Sequence, residues 1–128
     1  MSLYGFIAVG IGSMFGAWLR WVLSVLLNPL FPALPPGTLA ANLIGGYLIG
    51  IFVALFEQHA AISPELKLLI ITGFLGGLTT FSTFSAESVG LITRQYYMTA
   101  FIHIFFHLAG SLLMTALGMA TIKWLKIS

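Results

Sequence analysis

The chain has 128 residues, 59% of them hydrophobic and 6% charged, with a formal net charge of +2 and no cysteine. That composition, with a mean hydropathy of +1.07, excludes a water-soluble globular domain. Basic residues are too scarce for a nucleic-acid surface, and the missing cysteines exclude disulfides, thiolate nucleophiles and cysteine-ligated metals.

In chain order the apolar segments are residues 3–27, 38–56, 66–93 and 96–125. Each reaches the roughly 20 residues needed to cross a bilayer. The first has no basic run before it and no convincing cleavage site, so it reads as a retained span and not a signal peptide. Pro29, Pro32, Pro35 and Pro36 interrupt the chain after it, since proline cannot continue a helix. Residues 57–64 form a polar break, and residues 94–97 a tight turn with Tyr96 and Tyr97 placed as interfacial anchors. The expected fold is therefore an all-α membrane protein in one four-helix domain spanning residues 1–128.

Small residues recur four apart, as Gly12 and Gly16, Gly46 and Gly50, and Gly73 and Gly77, the spacing that lets helices approach closely in lipid. Charge gives almost no direction. With four spans, Lys67, Lys123 and Lys126 fall on one side and Arg20 and Arg94 on the other. Insertion direction follows the excess of Lys and Arg, so this near balance predicts that the protein inserts both ways and pairs antiparallel. A second copy would also supply the wall that four helices are too few to provide, around a two-fold axis in the membrane plane.

The third span carries the unusual chemistry. Residues 73–85 read Gly-Phe-Leu-Gly-Gly-Leu-Thr-Thr-Phe-Ser-Thr-Phe-Ser. Adjacent Gly76 and Gly77 weaken the helix, and the hydroxyls that follow compete for its backbone. A break at mid-span is expected, and it must lie against protein or a polar cavity, where freed carbonyls suit a cation. Phe81 and Phe84 share one helical face. A phenyl ring presents the positive edge of its quadrupole, which attracts an anion without a trapping charge.

Those residues, with Glu87, the run Gly37-Thr38-Leu39-Ala40-Ala41-Asn42-Leu43 and the run Gly16-Ala17-Trp18-Leu19-Arg20-Trp21, resemble the small fluoride channels of the Fluc (CrcB) family over nearly the whole chain. The resemblance implies an antiparallel dual-topology homodimer in the bacterial inner membrane, with two fluoride pores and a central structural sodium ion, exporting cytoplasmic fluoride passively. By motif, Phe81 and Phe84 resemble the pore rings, and Asn42 resembles the amide that meets the ion. Ser82, Thr83 and Thr115 would form a polar track, and Arg20 and Ser111 a vestibule. Gly76 and Thr79 match the carbonyls that hold sodium.

Other readings are weaker on their chemistry. His103 and His107 are four apart, a spacing that suits metal ligation, but the sequence shows no third ligand, and cross-helix hydrogen bonding is the commoner use. Glu87 is the one acid inside a span, a candidate mouth residue or a partner for Arg94. A dual-topology multidrug or cation exporter would need an embedded carboxylate where the first span offers Arg20. A nontransporting subunit of a larger complex would not need a broken span. No set of side chains supports an enzyme.

Overall fold

Four helices long enough to cross a bilayer make up the computed structural model, which describes residues 1–127 and the side chains of residues 1–126. Every described element is helical. Helix α1 (Leu3–Leu27) starts where the Ser2 hydroxyl accepts the Gly5 N–H at 2.9 Å, satisfying one of the orphan donors of a first turn. A short 3₁₀ turn, Asn28–Leu30, carries it further.

Helix α2 (Pro36–Gln58) begins two residues before the apolar pattern suggested. Pro36 sits in the first turn, where a missing N–H costs nothing, and Asn28 Oδ1 accepts the Gly37 N–H at 2.7 Å. The proline run thus initiates α2 as well as ending α1.

The third span is built in two parts. Its first part, α3 (residues 64–78), opens with Pro64–Lys67 under a Ser63 cap, widens over Leu68–Leu75 into i→i+5 turns, and closes with Gly76–Leu78. Such widened turns gather at functional places in helices; nothing in the sequence signals this one. Thr79 (φ −85°, ψ 154°) and Thr80 (φ −149°, ψ 114°) are extended, and α4 (Phe81–Thr93) resumes beyond them. The mid-span break expected from Gly76, Gly77 and the hydroxyl cluster is present. Gln95, at φ 64°, turns the chain into α5 (Tyr97–Ile127).

Two seams hold the helices together, and both are made by glycine. On the α1–α3 seam, a Cβ at Gly12 would collide with the Leu69 carbonyl and one at Gly16 with the Phe74 carbonyl, while Gly77 faces Ser13 and Ala17. On the α2–α5 seam, Gly50 lies against the Thr115 carbonyl and Gly118 against that of Tyr47. Backbone meets backbone because lipid supplies no hydrophobic drive between helices. The buried apolar core is small, centred on Ala41, Leu75 and Leu78. Large apolar side chains such as Phe6, Trp18, Val89 and Leu112 point outward instead, the arrangement suited to acyl chains.

Candidate functional site

Breaking the third span releases carbonyls from its ladder. In an unbroken helix Gly76 O would accept from Thr80 N–H, but that N–H donates to Asn42 Oδ1 at 2.7 Å. Thr79 O likewise loses Thr83 N–H, which donates to Thr80 Oγ1 at 3.0 Å and starts α4 as a side-chain cap. The three residues whose carbonyls lie at the break, Gly76, Gly77 and Thr79, have different neighbours. Gly77 O accepts from Arg20 Nε at 3.0 Å on the α1 side. Gly76 and Thr79 instead line an open cavity of ≈ 380 Å³.

That cavity also gathers Asn42, Thr80, Phe81, Phe84, His107 and Ser111 from three different spans. Asn42 is clamped to the break from both ends: besides accepting from Thr80 N–H, its Nδ2 donates to Thr80 O at 3.1 Å. The same Nδ2 lies 3.0 Å from His107 Nδ1. Both amide hydrogens are therefore engaged within one chain.

Phe81 and Phe84 meet edge to face, with ring centroids 5.5 Å apart at 63°. Phe81 is 77% exposed and projects from the single chain. Phe84 is half-buried and rests on two imidazoles, 5.6 Å from the His103 ring and 4.7 Å from the His107 ring. Both rings thus stand beside the break, and the histidines behind Phe84 set its tilt.

The remaining expected residues are more dispersed. Ser111 lines the cavity, whereas Ser82, Thr83 and Thr115 are not part of its wall. Ser82 is exposed with its hydroxyl 3.2 Å from that of Thr80. Thr115 Oγ1 lies within donating distance of the Gly46 and Ser111 carbonyls, at 2.9 and 3.0 Å, and so ties α5 to α2. Arg20 is half-buried against the break rather than free in solvent.

Glu87 is not a partner of Arg94. It turns inward, where Thr38 Oγ1 donates to Glu87 Oε2 at 2.7 Å and His103 Nε2 lies 3.4 Å from Oε1. Arg94 donates Nε to the Gly90 carbonyl of its own helix and covers the Tyr96 ring. The third group that the histidine spacing lacked in sequence is Glu87: it, His103 and His107 each offer a ligand-type atom within 4.8 Å of the others. Two residues escaped the sequence reading as site members, namely Thr38 and Thr80, while His107, for which the sequence favours cross-helix hydrogen bonding, makes such a bond with Asn42. For Thr80 a local signal existed, a Thr preceding a renewed apolar helix. Thr38 and His107 acquire their roles only from partners 49 and 65 residues away.

The oxygen donors at the break suit a hard cation, since unwound carbonyls at membrane depth are a recurring alkali-ion ligand. Two such carbonyls from one chain are too few to enclose one.

Residues 7–119 match the family model described as CrcB-like protein, Camphor Resistance (CrcB). This chain belongs to the CrcB-like family. It is 59% identical over 125 residues to the "Fluoride-specific ion channel FluC" of Nitrosospira multiformis, covering 98% of each chain. The FluC of Ralstonia pickettii is 58% identical, covering 96% of this chain and 98% of its own. That of Pseudomonas putida is also 58% identical, covering 97% and 98%. With its four apolar helices, this CrcB-like chain is a multi-pass bacterial membrane protein.

Proposed function

We propose that this protein is a fluoride-selective channel that lets fluoride leave the cytoplasm passively through pores formed in an antiparallel homodimer. The observation that carries the reading is the break at Thr79 and Thr80, with Asn42 clamped to it and Phe81 and Phe84 at the head of the resumed helix. Names of relatives at 56–59% identity supply the ion.

Fluoride holds its water strongly, so a pore must replace that hydration with donors while keeping no charge that would trap the ion. The cavity wall meets this requirement. It holds the His107 imidazole, the hydroxyl residues Thr79, Thr80 and Ser111, two phenyl rings and the Asn42 amide, and neither lysine nor arginine. Phenyl edges contribute weak positive contacts.

A second copy is supported by the Phe81 ring, which is 77% exposed and lines a cavity that one chain leaves open. A sodium ion at the two-fold axis would be held by the Gly76 and Thr79 carbonyls of both copies, doubling a donor set that one chain leaves half complete. Its part would be structural, neutralising the partial negative charge of carbonyls that the break leaves without helical donors.

Proteoliposomes loaded with fluoride and chloride, followed with ion-selective electrodes after adding valinomycin, test the reading. Fluoride should leave at once while chloride stays. Release of both ions, or of neither, refutes it. Replacing sodium on both sides by a large organic cation should reduce the flux and loosen the dimer; indifference to that exchange removes the sodium ion from the account.

A further inference from the structure

The Asn42 amide determines which nitrogen of His107 carries the proton. Thr80 N–H donates to Oδ1 at 2.7 Å and Thr80 O receives from Nδ2 at 3.1 Å, so flipping the amide would set donor against donor and oxygen against oxygen. The remaining amide hydrogen meets His107 Nδ1 at 3.0 Å. That nitrogen must accept, and a neutral imidazole then bears its hydrogen on Nε2.

His107 Nε2 is buried and has no hydrogen-bond partner. Two other buried atoms share that condition, Glu87 Oε1 and His103 Nε2, but they face each other across 3.4 Å and can serve as acceptor and donor. Glu87 Oε2 is already held by Thr38. The imidazole N–H of His107 is thus the donor left over, on a residue that lines the same cavity as Asn42, Phe81 and Phe84.

A buried donor without an acceptor carries a full desolvation cost, and such a group marks a place for a ligand. Its sign selects the ligand. The spacing of Glu87, His103 and His107 suits a metal ion, yet a metal on His107 Nε2 needs the lone pair and would move the proton to Nδ1, directly against the Asn42 amide hydrogen. A small hydrogen-bond acceptor has no such conflict.

We propose that His107, through Nε2–H, is the donor that holds a dehydrated fluoride ion in this pore, and that Asn42 acts behind it by fixing the tautomer. The assignment rests on the fluoride-channel reading and deepens it: because both Asn42 hydrogens are engaged, the free N–H is passed one residue on, to the imidazole. Phe84, 4.7 Å from that ring at 31°, flanks the same position.

The test joins histidine ¹⁵N magnetic resonance of the assembled wild-type protein with efflux from proteoliposomes. His107 should appear as the Nε2–H tautomer, and its Nε2 signal should move when sodium fluoride is titrated but not with sodium chloride. His107→Phe, which keeps a ring against Phe84 and removes the donor, should slow fluoride efflux by about 10- to 100-fold. His107→Gln, which restores an N–H at similar reach, should recover most of it. An Nδ1–H tautomer, a signal indifferent to fluoride, or unimpaired efflux through His107→Phe overturns the assignment while leaving a conducting wild type, and hence the channel reading, intact. A wild type that passes no fluoride overturns both. Should His107→Phe fail to assemble, the resonance of the wild type decides alone.

Discussion

Gly76 and Gly77 are neighbours in sequence and opposites in use. Gly77 belongs to the α1–α3 seam, where a Cβ would press on the Ser13 carbonyl, so its lack of a side chain serves close packing. Gly76 is exposed, and a Cβ there would meet only the Ile71 carbonyl at 3.7 Å. What Gly76 contributes is a carbonyl that the break sets free beside the cavity. The seams are dry contacts of backbone on backbone, while the break is a place where backbone polarity is deliberately unspent. In a bilayer the second is tolerable only where protein or a polar cavity, and not lipid, lies against it.

Asn42→Asp should have the largest effect. A carboxylate keeps the bond from Thr80 N–H but sets an oxygen against Thr80 O and draws the His107 proton onto Nδ1. Fluoride efflux should fall by about 100-fold or more, the scale of losing a preorganised donor to an anion. Normal efflux through a correctly assembled variant would remove Asn42 from the site.

Gly50→Ala should damage the seam without touching the break, costing about 2 kcal/mol as the Cβ meets the Thr115 carbonyl. Unfolding in detergent, followed by far-UV circular dichroism, reads that loss. Gly76→Ala should keep the wild-type helical content in the same assay; an equal loss at both positions would erase the contrast between them.

Arg20→Leu leaves the Gly77 carbonyl without its donor and should cost about 1.5 kcal/mol, the low end for a hydrogen bond from a charged group. Arg20→Lys should recover only part, because Nε of arginine makes the observed bond. Thr80→Val, nearly equal in shape, removes the cap on Thr83 N–H and should cost about 1 kcal/mol. A stable α4 in that variant would show that Asn42 alone suffices to end the break.

Much of this was legible before any coordinates. The four spans, the glycine spacing and the broken third span all follow from local rules of hydropathy, small-residue contact and helix propensity. Proline content predicts an interruption after the first span, but not that Asn28 converts its end into the start of α2. Glu87 was open between a mouth residue and a partner for Arg94, and it turned instead to Thr38 and His103 on other helices. Its acidity was visible in the sequence, but its partner depended on how α2, α4 and α5 meet.

By itself, then, the sequence determined that this is a four-span membrane protein with a weakened third span carrying paired phenyl rings, because hydropathy and helix propensity act over a few residues at a time. Only the tertiary structure decided that Thr80 N–H would leave the helical ladder for Asn42, that both Asn42 hydrogens would be engaged, and that His107 would hold the remaining donor. Those outcomes depend on hydrogen bonds between residues 38 and 65 positions apart. A hydrogen bond is settled by ångströms and angles that no local pattern encodes.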